Sequence, residues 1–300
     1  MRICDTHSDT LYAMGVQHTA PGELMITPRR LREGGVTLQT FALWTGAKGN
    51  QGDVDGIVAA ELAAIPALLD AGMTQVDDPA LAPADGCSFM LSIEGGEVFE
   101  KGLHTVADWR NKGVRMAALL WNNENALGYS AKSGDRRGLK EYGLAVVREM
   151  QRLHMAVDVS HLNEGGFYDL FTKTHVSPMA SHSCCRALCD HRRNLTDDQL
   201  RLMIGQGGYV GVNFYPAFLS QDGRADVETV ANHIDYICQM GGEKQVGFGS
   251  DFDGIECCPE GLAHPGDFPR LLEVLRRRGY DEQTLAGIAG ENLLAYFQRI

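Results

Sequence analysis

Residues 155–182 read MAVDVSHLNEGGFYDLFTKTHVSPMASH, and this stretch decides the fold. Its first part, 155–160, is a short β-branched run ending in polar residues, and 177–181 is a second such run. Between them, 165–171 carries apolar residues at spacings of three and four, the pattern of a helix with one buried face. Strand, helix and strand in that order form a parallel unit. Its strands lead into His161 and His182, 21 positions apart, a gap that fits one strand-helix step and sets two imidazoles on adjacent strands at one height.

The same alternation extends in both directions. Further strand signals fall at 3–7, 37–43, 88–93, 114–120, 208–213 and 245–250, and further helical patterns at 56–69, 139–153, 196–204 and 227–240. Eight strand candidates alternating with helices predict an α/β fold of the closed (β/α)8 TIM-type barrel, with its site at the C-terminal ends of the strands. A doubly wound open sheet would place a glycine-rich turn after the first strand, and Ser8 to Ala13 contain no glycine. Loops are expected at 46–56, 77–86 and 257–267. No fixed-period repeat and no low-complexity linker interrupts the chain, so one barrel domain over 1–300 is expected.

Composition narrows the function classes. With 44% hydrophobic and 22% charged residues the chain has material for a core and no bias toward disorder. The 27 Lys and Arg against 39 Asp and Glu give a net charge of −12, which repels phosphate backbones and anionic lipid surfaces. Neither nucleic acid nor a membrane is expected as a partner. No apolar run approaches the roughly 20 residues of a membrane span, and Met1-Arg2 leads directly into Ile3 to His7, so a cytoplasmic protein without a secretory signal is expected. The eight cysteines include the adjacent pairs Cys184-Cys185 and Cys257-Cys258, which lack the two-residue gap of a zinc-chelating pair, and all are read as reduced thiols.

The predicted strand ends are chemically one-sided. They carry His7, Ser8 and Asp9, then Glu94, His161 and His182, and finally Asp251 and Asp253. Imidazoles and carboxylates gathered at one rim are a ligand set for divalent cations, zinc among them. His7 and Asp9 are two apart, which on an extended strand points both to one side. Glu94 follows the apolar run Phe89 to Ile93, where a carboxylate faces burial unless a cation pairs it. Asp253, just before Gly254, reads as a turn residue. His18, His104, His154, His175, His191, His233 and His264 lie away from strand ends and are read as structural.

Five stretches taken together, Asp5-Thr6-His7-Ser8-Asp9, Ser92-Ile93-Glu94-Gly95-Gly96, Asp158-Val159-Ser160-His161, Ser181-His182-Ser183 followed by Arg192-Arg193-Asn194, and Gly249 to Gly254, resemble the renal (membrane) dipeptidase family of zinc peptidases, within the amidohydrolase-like barrel superfamily. The likeness runs from His7 to about Phe297. It implies two Zn2+ per chain, other divalent metals being possible: His7 and Asp9 on one ion, His161 and His182 on the other, Glu94 bridging both. By the same resemblance Asp251 takes the proton from the bridging water and passes it to the leaving amine, and Arg193 holds the free carboxylate of a dipeptide. Arg193 has a second reading as a surface residue paired with acids. Better-known members carry a histidine after the fourth strand; here Trp121 falls at that position, and its indole N–H or the Asn122 amide could donate to an oxyanion, or Trp121 could simply wall the pocket.

The resulting expectation is a metal-dependent dipeptidase that hydrolyses free dipeptides with a hydroxide bridging two zinc ions. Alternatives are a related binuclear hydrolase of another small amide, such as an N-acyl amino acid, and an inactive metal-binding interaction protein. A homodimer is possible by analogy with the family.

Overall fold

The computed structural model describes residues 1–46 and 53–300. All eight expected strands are present. In chain order the strands are β1 (Ile3–Asp5), β2 (Val36–Trp44), β3 (Thr74–Gln75), β4 (Ser88–Glu94), β5 (Val114–Ala118), β6 (Ala156–Asp158), β7 (Met179–Ala180), β8 (Tyr209–Val212) and β9 (Val246–Phe248). Hydrogen bonding runs β2-β1-β9-β8-β7-β6-β5-β4, and a parallel β2–β4 pairing from Leu38↔Ser88 to Trp44↔Glu94 closes the ring. This is the (β/α)8 barrel. The unanticipated β3 is a two-residue addition outside the ring, pairing with Ser88 and Phe89 before β5 joins β4 at Leu91.

Several strands are shorter than the sequence suggests, and two buried aspartates account for much of this. Asp5 Oδ1 accepts the backbone N–H of His7 at 3.5 Å and of Ser250 at 2.8 Å. Asp158 Oδ1 accepts those of Ser160 and Ser181, both at 2.9 Å. Side chains thus take donors that a longer ladder would use, and the chain leaves the sheet at Asp5 and Asp158 with its polar groups still satisfied. Consequently His7, His161 and His182 stand in irregular segments just past the strands.

The helices anticipated from periodicity appear at Val54–Asp70, Glu141–Arg152, Glu164–Asp169, Asp197–Gly205 and Val227–Ile237. Their starts are chemically marked. Asp53 accepts from Gly56 N, Asn163 from Gly166 N, and Thr196 with Gln199 forms a capping box. The first of these helices begins inside the expected 46–56 loop, of which residues 47–52 lie outside the described residues. Short 3-10 turns occupy Pro79–Leu81 and Pro265–Asp267 within the other two expected loops.

Inside the ring the lowest layer is apolar: Cys4, Leu38, Met90, Met116, Ala156, Met179 and Tyr209 pack on Leu293, Tyr296 and Phe297 from the C-terminal helix. Above it the interior turns polar, with Thr6, Ser92, Asp158, Ser181 and Ser250 all buried. The strands approach closely there. A Cβ on Gly249 or Gly211 would lie only 1.8 or 2.3 Å from the Ser181 carbonyl oxygen, so both positions demand glycine. The floor is sealed, and the chemistry is confined to the upper rim.

Candidate active site and metal centre

The six residues at the rim converge. Glu94 Oε1 lies 2.9 Å from His161 Nε2, 3.4 Å from His182 Nε2 and 3.8 Å from His7 Nε2. His7 Nε2 is also 3.8 Å from Asp9 Oδ1 and 3.7 Å from Asp251 Oδ1. One sequence expectation is corrected here: β1 ends at Asp5 and Asp9 is the N-cap of the helix Thr10–Gly15, so His7 and Asp9 converge through a bend and not along an extended strand. Gly254 allows that convergence, since a Cβ there would meet Asp9 Oδ2 at 2.0 Å and Asp251 Oδ1 at 2.8 Å. His161 and Asp251 both hold left-handed backbone, with φ of 68° and 66°. Such conformers are uncommon outside glycine, though less so for His and Asp, and here the strained positions coincide with the converging side chains.

Proton counting shows what these atoms face. Ser181 Oγ donates its one proton to Asp158 Oδ2, so the 2.7 Å contact between Ser181 Oγ and His182 Nδ1 requires the imidazole to be the donor. His161 Nδ1 lies 3.3 Å from Asn122 Oδ1, an acceptor, and is likewise protonated. In both rings Nε2 is then a bare lone pair. Those two lone pairs stand 3.1 Å apart and aim at Glu94 Oε1, while His7 Nε2 and Asp9 Oδ1 are buried with no hydrogen-bond partner among the described residues. Lone pairs and a carboxylate oxygen repel at such distances unless a proton or a metal cation lies among them.

Burial shapes every charge. It holds His7 neutral, its pKa down to about 3, with Arg193 adding to the effect, and holds His161 and His182 well below the ordinary range. Neutral imidazole is the ligand form. Burial pushes Glu94 and Asp9 well above the usual carboxylate range, and neighbouring carboxylates push them further. Asp251 rises to about 7 for the same first reason, opposed by the hydrogen bond from Asn213 Nδ2 at 2.8 Å and by Arg193.

Beside these residues opens a cavity of about 410 Å³ lined by Asp9, Glu94, His161, Asp251, Arg193, Trp121 and Asn122 together with aromatic side chains. Arg193 is only 7% exposed, so its reading as a surface ion-pair residue is overturned. Its guanidinium donates to the His182 carbonyl at 3.3 Å and lies 5.6 Å from the Phe218 ring, and Nε has no partner among the described residues. Trp121 meets Trp44 edge-on at 4.9 Å, and Trp44 meets Tyr12 at 4.6 Å, which makes Trp121 one panel of an aromatic wall. Asn122 uses its carbonyl oxygen on His161, an orienting contact that sequence did not anticipate. Trp44 and Tyr12 were also missed: one reads as the apolar end of a strand and the other as a helix residue, and only closure of the β2–β4 pair brings Trp44 beside Glu94.

The remaining histidines described earlier as structural stay outside this cluster. His191 stacks on Phe218 at 4.5 Å and accepts from Arg193 N, so it supports the arginine loop, while His264 caps Gly266. Asp253 clamps Thr10 Oγ1 at 2.7 Å and the Met25 and Ile26 amides, as a turn and bracing residue would. The eight cysteines are free thiols.

The sequence profile of the membrane dipeptidases, peptidase family M19, matches residues 1–300. The chain belongs to the membrane dipeptidase family. A crystal structure of a Rhodobacter sphaeroides metallopeptidase liganded with a phosphinate mimic of the dipeptide L-Ala-D-Ala superposes with a TM-score of 0.89 at 26% identity, over 100% of this chain and 99% of that one. The family M19 dipeptidase AC gives 0.89 at 27% identity over 100% and 98%. An uncharacterized Klebsiella pneumoniae protein, named for the pqqA 5′ region, is 37% identical over 223 residues, 71% of this chain and 82% of its own. An uncharacterized dipeptidase of Schizosaccharomyces pombe is 37% identical over 211 residues, 69% of this chain and 52% of its own length. As a member of this family the chain is a metallopeptidase-type hydrolase of peptide bonds. Among the described residues no helix is long and apolar enough to cross a membrane.

Proposed function

We propose that the chain is a single-barrel dipeptidase that cleaves free dipeptides at a centre of two divalent cations, zinc being the natural choice for this mixed imidazole and carboxylate set. The observation that carries the reading is the cluster of three imidazole Nε2 atoms within 2.9–3.8 Å of one Glu94 oxygen, two of them held as bare lone pairs and the third with no partner among the described residues. His7 with Asp9 would hold one ion, His161 with His182 the other, and Glu94 both. The acids favour cations there as well: Glu94, Asp158 and Asp251 lie near the buried Arg193 guanidinium and Asp9 beside Asp251, and burial disfavours their charged forms unless bound cations offset it. Bound there, the ions would polarise the scissile carbonyl and supply hydroxide near neutral pH.

The chain's own groups would do the rest. Arg193 would anchor the C-terminal carboxylate through a charge-assisted fork. Asp251, held by Asn213 at one oxygen and facing the centre with the other, would take the proton of the attacking water and deliver it to the leaving amine. The Tyr12, Trp44 and Trp121 wall would exclude water from one side of the peptide.

Metal content and turnover measured on the same preparation test the proposal. Two zinc ions per chain with hydrolysis of free dipeptides is the expected result; turnover of N-acyl amino acids alone, or bound metal with no hydrolysis, would overturn it. In a matched pair, loss of the free carboxylate as a dipeptide amide should cost about one to two decades in kcat/KM, the equivalent of about 1.5–3 kcal/mol. Arg193→Ala should erase most of that difference without loss of metal, and an unchanged acid-to-amide ratio would remove Arg193 from the site.

A further inference from the structure

Resting on the metal-binding part of the proposed function, we infer that Asp158 and Ser181 form a relay that fixes the tautomer of His182 and so sets the cation affinity of the His161 and His182 side of the centre. Neither residue offers an atom to the centre itself; both are positioning residues, Ser181 through its contact with His182 Nδ1. Asp158 is anchored at Oδ1 by the amides of Ser160 and Ser181, its Oδ2 accepts the Ser181 hydroxyl, and the Ser160 hydroxyl also bonds to the carboxylate. That hydroxyl has one proton to give and gives it to the carboxylate, so toward His182 Nδ1 it can only accept. The proton of His182 is thereby kept on Nδ1 and its Nε2 is left open toward Glu94 and His161. Ser160 completes the mount, its Oγ accepting the His182 backbone N–H at 3.1 Å and lying 3.3 Å from Ser181 Oγ. All four residues are at most 2% exposed, so no solvent molecule competes for these contacts.

The relay differs from the common arrangement in which a carboxylate or carbonyl takes the imidazole N–H directly. An inserted hydroxyl makes the direction of the chain reversible. If the carboxylate oxygen facing Ser181 became a donor, the serine proton would turn toward Nδ1, the imidazole proton would move to Nε2, and the ligand atom would be blocked. Asp158→Asn makes that exchange with almost no change of shape: the amide oxygen can still accept the two backbone N–H groups while the amide nitrogen donates to Ser181 Oγ. Ser181→Ala breaks the chain without reversing it.

The measurements are two. Nitrogen-15 NMR of the histidine rings in the full-length, metal-stripped protein reads the His182 tautomer, and competition with a zinc chelator reads affinity without reference to turnover. Wild type should show the Nδ1–H form. Asp158→Asn should shift His182 to the Nε2–H form and weaken the tighter-perturbed zinc step about ten- to a hundredfold. Ser181→Ala should lose affinity by a similar factor, and the double variant should lose no more than the worse single variant, because the two act as one unit. His182 remaining Nδ1–H in Asp158→Asn, or additive losses in the double variant, would overturn the relay. Zinc affinity and tautomer are independent of what substrate is cleaved, so wild-type protein that binds zinc and follows this pattern yet hydrolyses no dipeptide would sink the activity while leaving the relay standing.

Discussion

The β1/β9 side of the centre and the β6/β7 side are built on the same brace, yet deliver different chemistry. On each side a buried aspartate ends a strand, Asp5 or Asp158, and accepts both the amide and the hydroxyl of a serine just past the neighbouring strand, Ser250 or Ser181. Beyond that point they diverge. Ser181 continues into the ring of His182, so both imidazole nitrogens are committed, one to the protein and one to the centre. Ser250 Oγ instead accepts from the Phe252 amide at 3.2 Å, and the side chain of the residue between them, Asp251, accepts from Asn213 at one oxygen and faces His7 Nε2 with the other. A side chain fixed at both ends can serve as a ligand; a carboxylate tethered at one end can exchange a proton. On the proposed function, one mechanical device, repeated, would mount a permanent ligand on one side and a working acid-base group on the other.

Glu94 is shared by the two sides, and removing its charge should have the largest effect. Glu94→Gln should bring dipeptide hydrolysis to background and lower zinc content of the purified protein, since a neutral amide bridges two cations poorly; an active variant retaining two ions would show that the sides are independent. Asp251→Asn separates them more finely. Metal analysis should show both ions retained while kcat falls about 10² to 10⁴-fold, and loss of metal along with activity would make the β1/β9 side a ligand site like its counterpart.

The smallest effect concerns stability. Glu61, buried on the helix Val54–Asp70, accepts the amide of Trp44 at the end of β2 at 3.0 Å with one oxygen, and its other oxygen has no partner among the described residues. Burial raises its pKa from 4.5 to about 9, with Asp9 contributing after that. Because the folded value is the higher one, the stability it contributes is complete below pH about 4.5 and drains away as the pH rises toward 9. Wild type should therefore lose about 1.4 kcal/mol per pH unit relative to Glu61→Gln across that window, or roughly 2–4 °C of Tm. Parallel Tm profiles between pH 5 and 8 would show that Glu61 is not titrating there.

Much of this was legible in the sequence where chemistry and periodicity coincide. The eight barrel strands could be located because each is a β-branched or aromatic run followed by a polar change, and Glu94 stood out as an acid at the end of Phe89 to Ile93. The ends of those strands were harder to place, because what stops β1 and β6 is an aspartate side chain accepting amides up to 245 positions away. The amphipathic helix Phe268–Arg277 had a visible pattern in Phe268, Leu271, Leu272 and Leu275 but lies after the last strand, where the alternation no longer calls attention to it. Trp44, Tyr12 and the orienting contacts of Asn122 and Ser181 depend on which strands become neighbours. No local spacing encodes that.

The order in which the ring is closed gives the two sides different histories during synthesis. Ser160 and Ser181, in hydroxyl contact, are 21 positions apart, so the β6/β7 side can assemble as soon as one strand-helix-strand unit has emerged. Thr6 and Phe248 are 242 positions apart, so β1, which pairs with β2 early, must wait for nearly the whole polypeptide before β9 closes its other edge. Contacts of such sequence separation are slow to form. A nascent chain would therefore carry its three rim imidazoles and Glu94 without Asp251 until its last quarter is made, and a cation captured early would meet ligands before it could meet the group proposed to handle the proton.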